Sequence, residues 1–409
     1  MYSLHLSPEQ LQIRDTVRDF VAQEIKPRAL APQRLEASAR PILAEALDQA
    51  SQLGLRTLAL SEEAGGAGAG NLTCCIVTEE LAAGDPDLAA VLAQTSMLAH
   101  ALFDELMTQE QRARLLPAFL ADQRHHLALA EHEAHRDTAL GINYHRPQAN
   151  DARFATSAVR SDDAWIINGR KDRVIGASQA ALFAVRASLG DNGAGTLLVP
   201  RDTPGLTVTA SAADARWQHG ACGALVLQDC RVPAGNSLAA DAALFDHAGP
   251  DIPQAAAINL GIGRAAYEAA LDYAQLRVQG GRRIIEHQAI GAKLAEIAVR
   301  LEVARAAIWQ AAWASDHPDA VADRSLPDLP LTTVASVFAA EAIYRAVKDA
   351  AECFGAMGVM RDMPLHKYVH DARACLCSGA GASEAKLRIA EALARYRRPA
   401  ASAAVLAAE

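Results

Sequence analysis

Apolar side chains recur at helical spacing through roughly the first third of the chain. A helix start signal precedes them, because Ser7 can cap a helix, Pro8 suits its first position and Glu9 places an acid in its first turn. The apolar positions that follow at helical spacing are Leu11, Val17, Phe20 and Val21. This pattern predicts a helical domain over residues 1–123, broken by a glycine-rich loop at residues 65–70.

The hydrophobic pattern changes in the middle of the chain to short β-type runs between turn residues. The clearest runs cover residues 165–169, 182–185, 195–199 and 225–233. The spacing of the turns predicts an antiparallel barrel or sandwich, which we assign to a β domain over residues 124–240.

Helical spacing returns in the last third of the chain. Three long helices are predicted at residues 258–277, 290–314 and 333–354, and the proline- and aspartate-rich segment 315–331 predicts a loop between helices. Long helices of this kind pack as a bundle, so residues 241–409 are expected to form a third domain. The fold class is therefore mostly α with a central β domain.

Composition narrows the class of function. A chain of 409 residues is too long for one hydrophobic core, and its charged fraction of 21% is ordinary for a globular protein. A net charge of -9 without a dense Lys/Arg block argues against nucleic-acid and polybasic membrane binding. The chain starts without a signal-peptide pattern, contains no apolar run of about 20 residues, and lacks a CxxC pair among its seven cysteines. A cytoplasmic protein with reduced thiols is expected.

A series of motifs, in order and over nearly the whole chain, resembles the acyl-CoA dehydrogenase family. The N-terminal ones read EAGGAGAG at 63–70 and EEL at 79–81. The middle ones read LALAEHEAHRD at 127–137, INGRK at 167–171 and LVLQDCRVP at 225–233. The C-terminal ones read RVQGGRRIIEHQ at 277–288, FGAMG at 354–358 and HDAR at 370–373. The resemblance implies a C-terminal four-helix bundle, one FAD per chain and a dimer or tetramer.

The resemblance also implies a reaction. A proton leaves the carbon alpha to a thioester, and a hydride leaves the beta carbon for the flavin. Because an alpha C–H is a poor acid, donors must polarise the thioester carbonyl and a carboxylate base must lie in a water-excluded pocket. The expected substrate is an acyl-CoA or acyl-carrier-protein thioester, and the expected electron acceptor is an electron-transferring flavoprotein.

The resemblance assigns most cofactor contacts to the third domain. Arg277 and Gln279 would bind the FAD pyrophosphate, since a guanidinium offers several donors to phosphate oxygens. Gly355 and Ala356 would let the backbone approach the adenosine half. The further cofactor positions are Gln288, Glu352 and Glu384. A solvated charge at a helix end is the alternative for Arg277, and simple helix termination is the alternative for Gly355.

The positions that face the flavin depart from the family. Ala130 replaces a threonine, Ile175 replaces a threonine or serine, and Arg173 replaces a tryptophan. Arg136 falls within the family's glycine-serine pair. Backbone donors could still hold the flavin, but altered affinity and redox tuning are expected.

The catalytic base is also expected at a different position from that of most of the family. Most of the family has Tyr-Glu-Gly-Thr after the HDAR-like motif, whereas Ala380 stands at the base position here. This pattern resembles the isovaleryl-CoA dehydrogenase branch, which has its base before the first long helix of the third domain. Counting back from the Leu-Gly-Ile at 260–262 places that base at Asp251. Pro253 nearby suits a first helical position, so a helix cap is an equally complete role for Asp251.

Two further interpretations remain open for the function. The chain could be a catalytically incomplete subunit of a heteromeric dehydrogenase, or a flavin-dependent monooxygenase on the same fold, which needs no carboxylate base. No metal site is predicted. His132 and His135 are three residues apart in a strand-to-loop region, whereas the zinc motif needs a spacing of four on a helix.

Overall fold

The computed structural model describes residues 5–35, 41–133, 154–190, 193–210, 222–238, 252–317, 329–377 and 383–393. The N-terminal helices are α1 (Pro8–Phe20), α2 (Lys26–Ala29), α3 (Ala44–Gln52), α4 (Asn71–Ala82), α5 (Pro86–Ala99) and α6 (Gln109–Ala121). π-Helical turns follow α1 at Val21–Ile25 and α5 at His100–Leu106. Ser7 caps α1 as predicted, in a capping box in which the Gln10 N–H donates to Ser7 Oγ at 3.1 Å and the Ser7 N–H donates to Gln10 Oε1 at 3.0 Å.

The central sheet has seven strands. They are β1 (His126–Ala130), β2 (Ser157–Ser161), β3 (Ala164–Val174), β4 (Ala180–Ser188), β5 (Ala194–Pro200), β6 (Leu206–Ala210) and β7 (Gly223–Pro233). Their order is β1-β4-β2-β3-β7-β6, with β5 also paired to β4. The expected purely antiparallel arrangement is wrong around β4, because β1 and β2 both run parallel to it. Two other strands separate β1 and β4 in the sequence, so no hairpin turn sets their direction.

The C-terminal part contains α7 (Pro253–Leu276), α8 (Gln288–Asp316), α9 (Leu331–Cys353), α10 (Pro364–Cys377) and α11 (Ser383–Leu393). The three long helices predicted from the sequence are confirmed, with ends that differ by only a few residues. A small hairpin of β8 (Val278–Gln279) and β9 (Arg282–Arg283) joins α7 to α8. Short 3-10 turns lie at Pro32–Arg34, Leu55–Thr57, Glu62–Ala64, Ala234–Asn236, Ile284–Glu286 and Gly355–Val359.

One hydrophobic core joins the N- and C-terminal helices, and a second fills the sheet. Strand β1 contributes side chains to both cores, because successive side chains of a strand point to opposite faces. Leu127 and Leu129 belong to the helical core, whereas Ala128 belongs to the sheet core. Helix α7 packs so closely on α4 that a Cβ at Gly261 would lie 2.4 Å from the Glu79 carbonyl oxygen. Glycine is required there by this close approach.

A buried ion network also crosses this helical interface. Glu80 of α4 accepts hydrogen bonds from Arg264 of α7 at 2.7 and 2.8 Å and from Arg18 of α1 at 2.7 and 3.2 Å. Its neighbour Glu79 accepts from Arg305 of α8 at 2.8 Å. The EEL motif at 79–81 therefore supplies two buried carboxylates that connect α4 to three other helices.

Candidate functional site

The first turn of α7 is where the N-terminal helices meet the C-terminal bundle. Gln254 is buried there, and its Nε2 donates to Asn71 Oδ1 at 2.8 Å and lies 3.4 Å from the Met97 sulfur. Asn71 is fixed in turn by Asp316, which accepts from its side-chain amide at 2.7 Å and from its backbone N–H at 3.1 Å. Helices α4, α5 and α8 thus converge on the start of α7.

Asp251, the predicted base, lies immediately outside the described residues. The alternative role as the cap of α7 is wrong, because the N-cap is Ile252, with an extended backbone and no side-chain cap. Pro253 does occupy the beginning of the helix as expected, and this places the cap one residue after Asp251.

The two predicted flavin-facing positions lie where β1 and β3 end. Ala130, the last residue of β1, pairs with Val185 and is fully buried in the sheet core. Ile175, just after β3, is half-buried and packs against the helical core. The Asp172 N–H donates to the His132 carbonyl at 2.9 Å and so holds these two chain segments together. Neither predicted contact residue has a side-chain hydrogen-bonding group.

A buried ion pair supports this same edge. Lys171 is fully buried, and its Nζ lies 2.6 Å from Glu133 Oε1 and 3.2 Å from the Glu131 carbonyl. Glu133 also accepts the backbone N–H groups of Ala155 at 2.8 Å and Thr156 at 3.0 Å. Sequence reasoning missed this pair. The only signal for it was the lysine of the INGRK motif.

The Glu133 carboxylate stays ionised in this setting. Burial by itself raises its pKa, but the hydrogen bonds from Lys171 and Thr156 outweigh burial and lower the pKa from 4.5 to about 2. The nearby His132 behaves in the opposite way, since burial and then Arg173 lower the pKa of its ring. His132 is therefore neutral near pH 7, while His135 lies outside the described residues.

Glu133→Gln is expected to weaken the acid dependence of folding stability. Because the folded-state pKa is depressed, the ionised carboxylate contributes stability above pH 4.5 that is lost as the pH falls towards 2. The measurement is the free energy of urea unfolding across this interval. Asp163→Asn, at an exposed carboxylate on the same sheet, is the control. Equal acid slopes for the wild type and Glu133→Gln would contradict the assignment.

The predicted pyrophosphate residues lie at the opposite end of α7. Arg277 is the C-cap residue of α7; its N–H donates to the Tyr273 carbonyl at 2.8 Å and its side chain is exposed. Within the described part of the chain, no carboxylate pairs with its guanidinium. Gln279 is exposed on the following hairpin, and Gln288 is exposed as the first residue of α8.

The predicted adenosine residues adjoin this group. The ring of Phe354, the residue that follows α9, stacks on Tyr273 of α7 at 4.1 Å, which joins the ends of the two helices. Gly355 comes next, with φ +58° and open space where a Cβ would stand, and Ala356 is exposed. Glu352 is exposed and ion-paired with Lys293, which holds the pKa of the carboxyl below its usual range. The backbone of Glu384 lies in α11, and its side chain is outside the described set.

Six of the predicted cofactor residues are thus brought to one exposed end of the bundle: Arg277, Gln279, Gln288, Glu352, Gly355 and Ala356. Ala130 and Ile175 lie instead at the edge of the sheet that packs beside α5. Among the described residues, no cluster of three or more His, Cys, Asp or Glu could hold a metal ion. None of the described helices is both long and apolar enough to cross a membrane.

Comparison with known proteins identifies the class. Residues 7–123 match the acyl-CoA dehydrogenase N-terminal domain, and residues 253–394 match the acyl-CoA dehydrogenase C-terminal domain. The chain belongs to the acyl-CoA dehydrogenase family. It is therefore a flavoprotein oxidoreductase with FAD as its cofactor.

Individual relatives agree with this assignment. The probable acyl-CoA dehydrogenase YngJ of Bacillus subtilis is 31% identical, over 93% of this chain and 97% of that protein. The mitochondrial isobutyryl-CoA dehydrogenase of Dictyostelium discoideum is 28% identical, over 91% of this chain and 86% of that protein. The structure of butyryl-CoA dehydrogenase from Megasphaera elsdenii has the same fold. Its TM-score is 0.80 at 23% identity, over 97% of this chain and 100% of that one.

Proposed function

We propose that the chain catalyses the α,β-dehydrogenation of an acyl thioester, carried by CoA or by a carrier protein. The observation that carries this proposal is the layout of α7, with Asp251 just before its first turn and the phosphate donors Arg277 and Gln279 at and beyond its end. Asp251 would take the alpha proton near the first turn of α7, where α4, α5 and α8 converge. FAD, when bound, accepts the hydride from the beta carbon.

The described residues fit FAD at one end of the cofactor better than at the other. Arg277 and Gln279 are exposed donors, and the space beside Gly355 admits a close backbone approach. Around the flavin ring, Ala130 and Ile175 leave hydrogen bonding to backbone groups. We expect FAD to be held mainly through its pyrophosphate and adenosine.

We infer that two copies of the chain complete each cofactor site. Helix α7 has 24 residues, so its ends are ~36 Å apart at a rise of ~1.5 Å per residue. This is farther than one FAD can bridge between a flavin at the start of α7 and phosphate donors at its end. A second copy, packed with the opposite end of its α7 alongside, would supply the missing donors, which supports a homodimer or tetramer.

For the acyl group, we propose a branched, cyclic or otherwise bulky chain. The family's Tyr-Glu motif is replaced by small residues at 379–382, which would leave room near the flavin. The base position before α7 resembles the isovaleryl-CoA dehydrogenase branch, and one relative is an isobutyryl-CoA dehydrogenase. An electron-transferring flavoprotein is the proposed acceptor.

The experiment is an anaerobic absorption spectrum of the FAD-loaded protein, recorded before and after addition of straight and branched acyl-CoA thioesters. Bleaching of the flavin bands by a branched thioester is the expected result. Bands that persist with every thioester would contradict the dehydrogenase. In that case, oxygen consumption with added reduced flavin would indicate a monooxygenase. If bleaching returned when a homologous chain was added, the chain would be an incomplete subunit of a heteromeric dehydrogenase. The loss of side-chain hydroxyls at Ala130 and Ile175 favours this incomplete subunit.

Arg277→Met is expected to weaken FAD binding by roughly 10- to 100-fold, since a hydrogen bond to a charged group contributes about 1.5–3 kcal/mol. The dissociation constant is measured by titrating the apoprotein with FAD and following flavin fluorescence. Arg283→Gln, at an exposed arginine on the same hairpin, is the matched control and is expected to bind FAD normally. Equal affinities for the two variants would leave Arg277 as a solvated helix-end charge.

A further inference from the structure

A cavity lies between α6 and the part of the sheet formed by β4 and β5. Its volume is about 400 Å³, within the roughly 300–1,000 Å³ typical of small-molecule sites. Its apolar wall consists of Leu115 and Ala118 of α6 together with Ala181, Leu182 and Pro200 of the sheet. Leu182 pairs with Leu127 near the start of β1, whereas Ala130 ends that strand ~10 Å away at ~3.3 Å per residue. The cavity therefore shares no residue with the cofactor site.

The first polar group at this cavity is Arg201, just after β5. Its Nη1 donates to the carbonyls of Ala177 at 2.8 Å and Ala180 at 2.9 Å, which fixes the guanidinium plane. No carboxylate among the described residues lies within ion-pair distance of it. Its other N–H groups are therefore free to meet a carboxylate in the fork geometry that guanidinium favours.

The second polar group is Asp202. This exposed carboxylate borders the same cavity, and no cation pairs with it in the described part of the chain. A cation and an anion on neighbouring residues, each without an ionic partner, disfavour a ligand that carries only one sign of charge. They favour a ligand that carries both.

The third polar group is the ring of His125. Burial, and then nearby Arg56, lower its pKa, so the ring is neutral near pH 7. The ring also hydrogen-bonds the backbone of Ala118, while its Nε2 is buried without a partner among the described residues. The ring therefore adds an uncharged polar group to the wall of the cavity, while the Nε2 atom lies below the surface that a ligand can reach.

We propose that this cavity binds a free α-amino acid with a small apolar side chain. The carboxylate pairs with Arg201, the ammonium pairs with Asp202, and the side chain packs on Leu115 and Leu182. A plain carboxylate would face the uncompensated Asp202, and a plain amine would face Arg201.

The test is calorimetric titration of the FAD-loaded protein with L-leucine, with isocaproate and isoamylamine as analogues that lack the ammonium and the carboxylate. Saturable binding of one leucine per chain is expected, with both analogues at least about 10-fold weaker, which corresponds to ~1.4 kcal/mol. No leucine binding at millimolar concentration, or equal binding of either analogue, would overturn the proposal. Because no turnover is measured, the result is independent of the dehydrogenase reaction.

Two variants locate the binding. Ala118→Trp fills the cavity from an exposed helix position, and Asp202→Asn removes the ammonium partner without a change of shape. Each is expected to weaken leucine binding at least about 10-fold. Glu110→Gln, at an exposed carboxylate on the same helix as Ala118, is the control and is expected to bind as the wild type does. Unchanged binding by Ala118→Trp would place leucine elsewhere and overturn the assignment.

Discussion

Asp251→Asn is expected to lower kcat by roughly 10²–10⁴-fold, the usual contribution of a general base, while FAD binding and folding stability stay unchanged. Asparagine has nearly the shape of aspartate but cannot take up the alpha proton. The fold gives no reason for a loss of stability, because Ile252 rather than Asp251 is the N-cap of α7. The measurements are anaerobic flavin reduction by a branched acyl-CoA, the FAD dissociation constant and the thermal midpoint.

The matched control for this variant is Asp272→Asn, at an exposed aspartate on the same helix. It is expected to reduce its flavin at the wild-type rate. A second readout separates the base from a purely structural role: the rate of exchange of the substrate's alpha proton with solvent should fall together with kcat. Wild-type turnover in Asp251→Asn would remove this residue from the reaction and direct the search to another carboxylate.

Glu80→Gln is expected to lower the free energy of unfolding by about 3 kcal/mol, because the largely buried Arg264 loses the carboxylate that it contacts most closely and keeps only the more distant Glu79 and Glu268. Burial raises the pKa of Glu80, but hydrogen bonds from Arg18 and Arg264 outweigh it, so the pKa lies below its usual range. The wild-type carboxylate is therefore charged at neutral pH. In the variant, Arg264 keeps its largely buried charge but loses its main partner. The measurement is urea unfolding together with the thermal midpoint.

The control for this variant is Glu302→Gln. Glu302 is an exposed carboxylate that pairs with Arg305 at the edge of the same network. Exposed pairs contribute about 0–1 kcal/mol, so only a small loss of stability is expected. If the free energy of unfolding fell equally in both variants, the burial of Glu80 would make its ion pairs no more stabilising than an exposed pair. The prediction would then be contradicted.

Local sequence patterns were enough to predict the helices and most strands of the sheet. The start of α1 and the three long C-terminal helices are encoded by caps and by apolar spacing within each segment, so neighbours in the sequence decide them. Strands β2 and β6 were not predicted. Each is five residues long with mixed polar and apolar side chains, so neither stands out by its own pattern.

In the candidate site, some residues could be predicted from the sequence and others could not. The residues from Arg277 to Ala356 could be located because each belongs to a motif, and the fold brings them to one end of the bundle. The capping role considered for Asp251 was wrong by one position, since a proline at the first helical position places the cap directly before it. The INGRK motif pointed to Lys171, but nothing in the sequence indicated Glu133 as its partner, because the two are 38 residues apart.

The sequence by itself determined the order of the three domains through short-range patterns, and its motifs determined the family and the cofactor through their resemblance to known proteins; the residues that serve the cofactor stay a prediction. Only the tertiary structure decided which charges are paired. Glu80 meets Arg264 across 184 residues, and Glu79 meets Arg305 across 226. It alone also showed that β1 runs parallel to β4, and that Arg201, Asp202 and His125 border one cavity. Such contacts depend on how distant segments pack, and no local periodicity records that.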